Sequence, residues 1–175
     1  MYDIESESVT EEFEVDLVKE PPIDPGYYPV TVSKDKIIRK SSLETAELTG
    51  KSFHLDNYCF DSNPERQFFW DMLHDKQVDK IWFTGMLTHG QSDFVIHYVD
   101  TETQRVRSYY PDFLIKKQDG SYVMVEVKGE HMIDSQNVRD KKDAAELMGV
   151  ASGIGYEIVT GKSADSGSYD RGFLN

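Results

Sequence analysis

The sequence predicts a mixed α/β domain with helices covering a central sheet, from two observations of pattern and one of size. Apolar residues at helical spacing begin at Asn63 and run for about twelve residues, and a second helical stretch covers Asp140 to Met148. Between and after them lie β-rich runs bounded by turn residues, so the order is helix, several strands, helix, strand. With 175 residues, 38% apolar and 12% aromatic, the chain suffices for one domain with a real core.

The first segment is an acidic arm, residues 1–26. Nine acidic residues and one lysine fall within the first 24, so −8 of the net −13 sits there, and Pro21, Pro22, Pro25 and Gly26 mark a break. The arm is expected to be flexible or loosely docked, although Phe13, Val15 and Leu17 alternate with acids as in a short strand. From Tyr27 to Cys59, YYPVTV suggests a strand, SLETAELTG a short helix closed by Gly50, and FHLDNYCF another strand.

Asn63 then suits an N-cap and Pro64 the first helical position, ahead of the stripe Phe68, Phe69, Met72 and Leu73. Glu65 lies three and four positions before the two phenylalanines, on the buried edge of that stripe. Val78 to Phe83 and Asp93 to Asp100 are β-rich, bounded by Gly85, His89 and Gly90. Two further runs, Arg105 to Lys117 and Ser121 to Lys128, flank Gln118-Asp119-Gly120, a strong hairpin signal. Asp140 to Met148 is expected to stop at Gly149, Tyr156 to Thr160 is the last strand, and residues 163–175 read as a polar tail. The domain proper is thereby expected at residues 27–162.

Three charged residues stand where a half-buried strand prefers apolar ones: Asp112, Glu126 and Lys128. Side chains alternate across a strand, so Tyr122, Met124, Glu126 and Lys128 share one face and Val123, Val125 and Val127 the other. Ionisable groups on a core-like face are costly unless something binds there, and a divalent cation is a natural occupant. Register decides whether Asp112 joins them. A two-residue Asp119-Gly120 turn would place Asp112 opposite Val127, on the wrong face, whereas a three-residue loop or a bulge would place it opposite Glu126 or Lys128. The odd-length loop is therefore expected. Two carboxylates and a backbone carbonyl, that of Val127, would then offer hard oxygen ligands to Mg²⁺, with Mn²⁺ as substitute. Such a site suits phosphodiester hydrolysis, with Lys128 beside the attacking water and Glu65 as an outer ligand.

Pro111-Asp112, thirteen intervening residues and Glu126-Val127-Lys128 resemble the motif of the PD-(D/E)xK nucleases, with Glu65 at the place of their helix-borne acid. The order NPERQFFWDML, KIWF, DFVIHYVD, SYYPDFLIKKQDG and VEVKG is similar to the endonuclease domain at the carboxy end of type III restriction enzymes, over roughly residues 60–160. The resemblance implies a restriction-endonuclease-like core and Mg²⁺-dependent cleavage of DNA. It also implies that Asp112 and Glu126 are metal ligands and Lys128 the catalytic lysine. Type III enzymes carry an ATPase motor that this chain does not, so a detached nuclease domain or a stand-alone relative is expected, with a translocase or another subunit as a conceivable partner; an oligomer is also open. Two other readings stay open: a non-cleaving nucleic-acid-binding or assembly module that kept the fold, and a nuclease acting on RNA or branched DNA.

Other function classes find little support. No apolar run of about 18 residues is present to span a membrane, and the amino terminus lacks the charged and apolar regions of a signal peptide. The single cysteine, Cys59, agrees with a reducing cytoplasm. Histidines 54, 74, 89, 97 and 131 have no metal-ligand spacing. Gly161-Lys162-Ser163 lacks the upstream glycine of a phosphate loop, since position 156 is tyrosine. Cys59 and the serines have no evident base partner for nucleophilic catalysis. Arg105, Arg107, Lys116, Lys117, Lys128, Arg139, Lys141 and Lys142 cluster around the motif, so the acidic total does not exclude DNA, but weak and salt-sensitive binding is expected. Lysines 141 and 142 are candidates for contact with a DNA backbone.

Overall fold

The computed structural model describes residues 34–53, 57–85 and 94–175. The acidic arm, YYPVTV and the turn residues His89 and Gly90 lie outside the described residues. The elements run β1 (Ile37–Arg39), α1 (Ala46–Lys51), β2 (Asn57–Cys59), α2 (Asn63–His74), β3 (Val78–Phe83), β4 (Ile96–Asp100), β5 (Arg105–Tyr109), β6 (Phe113–Lys117), β7 (Tyr122–Lys128), α3 (Glu130–Ile133), α4 (Gln136–Ser152), β8 (Ile154–Thr160) and α5 (Gly161–Ser166). Four of the strands make a mixed sheet in the order β3-β6-β7-β8. The pairs β3/β6 and β6/β7 are antiparallel, and β7/β8 is parallel with α4 as the crossover. The fold is α/β with helices on both sheet faces, as expected.

Alternation along the strands sorts the core into two layers. Phe113, Ile115, Val123, Val125, Val127 and Val159 pack with Phe68, Phe69, Met72 and Leu73 of α2. On the opposite face, Leu114, Met124 and Ile154 pack with Ala145 of α4 and with Tyr98 and Tyr109 of the β4–β5 hairpin. Glu126 and Lys128, in phase with Met124, belong to this second face.

Several boundaries differ from expectation for identifiable reasons. Ser62, not Asn63, caps α2: its hydroxyl accepts the Glu65 N–H while the Glu65 carboxylate accepts the Ser62 N–H, a reciprocal capping box. The helix α1 runs past Gly50 to Lys51. The stretch Arg105 to Lys117 is two strands, because Tyr110-Pro111-Asp112 interrupts it: β5 pairs with β4 in a separate hairpin and β6 enters the main sheet. Gly149 does not stop α4 but lies inside it, where a Cβ would fall 2.3 Å from the Ile154 carbonyl oxygen; the stop is Gly153, at φ +69.

Residues 163–175, expected as a tail, are packed against the domain. Thr160 caps α5 by accepting the Ser163 N–H. Further on, Arg171 pairs with Asp75 at 2.7 Å, the Tyr169 hydroxyl donates to Asp71 at 3.1 Å, and Leu174 is 4% exposed. The polar run SADSGSYDRG conceals these few anchors, which bind the segment to α2.

Candidate active site

The hairpin turn sets the site. Gln118, Asp119 and Gly120 form a three-residue loop with Gly120 at φ +87, a conformation that favours glycine. The Lys117 N–H donates to the Ser121 carbonyl at 2.8 Å. The resulting register pairs Phe113 with Val125 and Leu114 with Met124, so the next position puts Asp112 across from Glu126. This is the odd-length arrangement that the position of the charges requires.

Asp112 leaves the sheet just before β6 and is fixed at both ends. Its carbonyl accepts the N–H groups of Thr84 at 3.0 Å and Gly85 at 3.1 Å, at the end of β3. Its carboxylate accepts the Val127 N–H at 2.8 Å. Since a strand residue turns its N–H and C=O to the same edge, the Val127 carbonyl also faces the side on which Asp112 lies. Burial pushes the Asp112 carboxyl well up, the Glu126 charge adds to this, and Lys128 draws it partly back.

Glu126 is 2% exposed, and both of its oxygens are engaged. The Tyr109 hydroxyl donates to Oε2 at 2.7 Å, and the Lys128 ammonium pairs with Oε1. Burial disfavours the charged Lys128, but Asp112, Glu126 and Glu65 outweigh it, so the ammonium is held above its usual range. Burial likewise pushes the Tyr109 hydroxyl up, reinforced by the Glu126 charge.

Glu65 is close enough for its charge to be felt by Asp112 and Lys128. One of its oxygens, however, is committed to the helix start, accepting the N–H groups of Asp61 at 3.0 Å and Ser62 at 3.2 Å. Its carboxyl is raised by burial, against the lowering influence of those bonds. The structure thus brings Asp112, Glu126, Lys128 and the Val127 backbone together, with Glu65 as a neighbour tied to its own cap. His131 is exposed, on the single turn α3.

Hard oxygen donors from two carboxylates and one carbonyl fit a divalent cation. Among the described residues no group of three or more His, Cys, Asp or Glu side chains is placed to hold a metal, so a cation here would rely on these two carboxylates, backbone oxygen and water.

Three aromatic or basic residues of the site lie beyond the motif. Tyr109 packs in the core layer on this face and in addition donates its hydroxyl to Glu126. Tyr156 stands across from Met124 in the parallel register, with its hydroxyl 3.4 Å from that of Tyr109. Lys141 follows Val138 by three positions and precedes Ala145 by four, on the sheet-facing side of α4, and its Nζ lies 5.2 Å from the Tyr109 ring centroid. Helical periodicity carried the signal for Lys141; the two tyrosines needed the strand pairing. A cavity of about 440 Å³ opens beside the cluster between α4 and β8, with Arg139 and Lys142 among the residues lining it.

The family model for the TnsA-like endonuclease N-terminal domain matches residues 88–161, under half of the chain. The match spans Asp112, Glu126, Lys128 and Lys141 but not Glu65. This family is of the PD-(D/E)xK type, so the match supports that superfamily and a nuclease, and the α/β architecture fits a restriction-endonuclease-like fold. No curated protein and no solved structure matches the chain. No helix among the described residues is long and apolar enough to cross a membrane.

Proposed function

We propose that this chain is a divalent-metal-dependent endonuclease hydrolysing phosphodiester bonds of DNA. The observation that carries the reading is the convergence of Asp112, Glu126 and Lys128 on one edge of β7, produced by the three-residue loop. Asp112 and Glu126, with the Val127 carbonyl, would hold Mg²⁺ or Mn²⁺. When bound, the cation supplies a lowered water pKa and neutralises charge on the phosphate. Lys128, aligned by Glu126, orients the attacking water by hydrogen bonding. The water oxygen forms a bond to phosphorus and gives up a proton to solvent, the P–O ester bond breaks, and the departing oxygen takes up a proton from solvent. Glu65 supports the cluster by its charge from the start of α2.

Within the superfamily, a TnsA-like endonuclease domain is supported by the family match. A type III restriction-like domain is supported by the order of the sequence stretches from NPERQFFWDML to VEVKG. Both readings leave room for a partner that brings the domain to its target. The test is cleavage of plasmid DNA with Mg²⁺ or Mn²⁺. Asp112→Ala and Lys128→Ala are expected to lose at least ~10²-fold in rate, while Ca²⁺ supports binding without cutting. Undiminished cleavage by both variants would overturn the assignment.

A further inference from the structure

On α4, Val138, Lys141, Ala145 and Met148 recur on the side that faces the sheet, while Arg139, Lys142 and Asp143 are exposed. A lysine on the buried stripe ordinarily finds a carboxylate. Lys142, one residue on, pairs with Glu146 at 3.6 Å. Lys141 has no carboxylate oxygen within 4 Å of its Nζ among the described residues; its ammonium instead lies 5.2 Å from the ring centroid of Tyr109 and 5.9 Å from that of Tyr98. These rings meet edge to face, with centroids 6.4 Å apart, and form a fixed seat.

The seat adjoins the reaction centre, because the Tyr109 hydroxyl is the donor to Glu126. A cation over an aromatic face is held weakly, whereas a charge-assisted hydrogen bond to a phosphate is directional and stronger. An ordered, half-buried ammonium without a carboxylate partner is thus prepared for an anion from outside. Burial lowers its pKa, and the charges of Glu126 and Asp112 work against this and favour the ammonium form.

We propose that Lys141 binds a backbone phosphate of the DNA at or next to the scissile bond, with Tyr98 and Tyr109 holding its ammonium in place beforehand. The inference rests on the nuclease reading and names a substrate contact that the motif does not include.

The test is fluorescence-anisotropy titration of the full chain with a short duplex DNA, Ca²⁺ replacing Mg²⁺, between roughly 50 and 200 mM salt. Lys141→Gln is expected to reduce the slope of log K against log salt by about 0.9, the loss of one phosphate contact. Lys141→Arg should keep the slope, and Lys76→Gln, in the turn after α2, should leave it unchanged. Thermal unfolding checks that each variant is folded. A wild-type slope in a folded Lys141→Gln overturns the proposal, as does an equal reduction in Lys76→Gln. Failure of the nuclease reading shows separately: wild type would then not cut plasmid, or Asp112→Ala would cut as well as it does.

Discussion

Replacing Tyr109 with phenylalanine removes one oxygen and tests whether the position of Glu126 matters. Tyr109 is 4% and Glu126 2% exposed, with 2.7 Å between hydroxyl and carboxylate oxygen, so little room exists for water to replace the lost donor. A hydrogen bond to a charged group contributes about 1.5–3 kcal/mol, and the ring with its packing is retained. Taking about 2 kcal/mol and roughly 2–4 °C per kcal/mol for a chain of this size, the melting temperature should fall by about 4–8 °C. Lys128 still pairs with the other oxygen, so Glu126 should stay in the cluster but lose its fixed orientation. Loss of a partner that orients a metal ligand typically costs about 10- to 100-fold in metal affinity or activity. Melting curves, Mn²⁺ binding followed by electron paramagnetic resonance, and the Mg²⁺ dependence of plasmid cleavage together read both effects. Tyr156→Phe, whose hydroxyl contact is longer at 3.4 Å, should do less on every measure. If Tyr109→Phe has wild-type Mn²⁺ affinity and cleavage, the claim that Tyr109 orients a metal ligand is refuted, whatever the melting temperature.

Other perturbations separate structural from chemical roles. Gly149→Ala sets a Cβ 2.3 Å from the Ile154 carbonyl oxygen, a backbone contact that cannot swing aside, and should destabilise by about 1–3 kcal/mol in urea unfolding; no loss would contradict the close packing of α4 on β8. Glu65→Gln keeps a capping acceptor and should leave stability within about 0.5 kcal/mol and cleavage within several-fold, whereas a loss as large as that of Asp112→Ala would show that Glu65 carries metal. The Asp140 carboxyl is held below its usual range by the N–H of Thr101, the Gln136 amide and the Thr101 hydroxyl. A carboxyl with a lowered folded pKa contributes stability that is full above about pH 3.9 and is lost as pH falls through the folded value. Wild type should therefore melt above Asp140→Asn at neutral pH, and the two should converge in acid; a constant gap would reject the linkage.

The centre of the fold was legible because local signals agreed there. Helical spacing marked α2, alternation marked β7, and Gln118-Asp119-Gly120 marked the hairpin. The outer parts were less legible because their order depends on distant contacts. Arg105 to Lys117 reads as one β-rich run, since nothing local says that β5 pairs with β4 while β6 pairs with β3; only the proline at 111 hints at the break. Gly149 looks like a stop in any local view, and its reason for being glycine is the Ile154 carbonyl across the crossover. The segment 163–175 looks like a tail until Arg171 meets Asp71 of α2 and Asp75 at its C-cap.

In the site, the side chains that could be found were those whose chemistry contradicts their local pattern. Glu126 and Lys128 stand in an apolar strand, and Asp112 joins them once the loop is three residues long. Tyr109 was missed because a tyrosine in a strand contradicts nothing, and its role appears only when the hairpin folds its hydroxyl onto Glu126. Lys141 lies between these cases. Read along the chain it is one of a pair of helix lysines, but its spacing to Val138 and Ala145 already places it on the buried stripe, where a lysine needs a reason. The net −13 bears on this site less than it suggests, because −8 belongs to the first 24 residues. Around Glu126 the carboxylates of Asp112 and Glu65 are countered by the ammonium groups of Lys128 and Lys141. A phosphate approaching the α4 face of β7 therefore meets a local field unlike that of the chain as a whole.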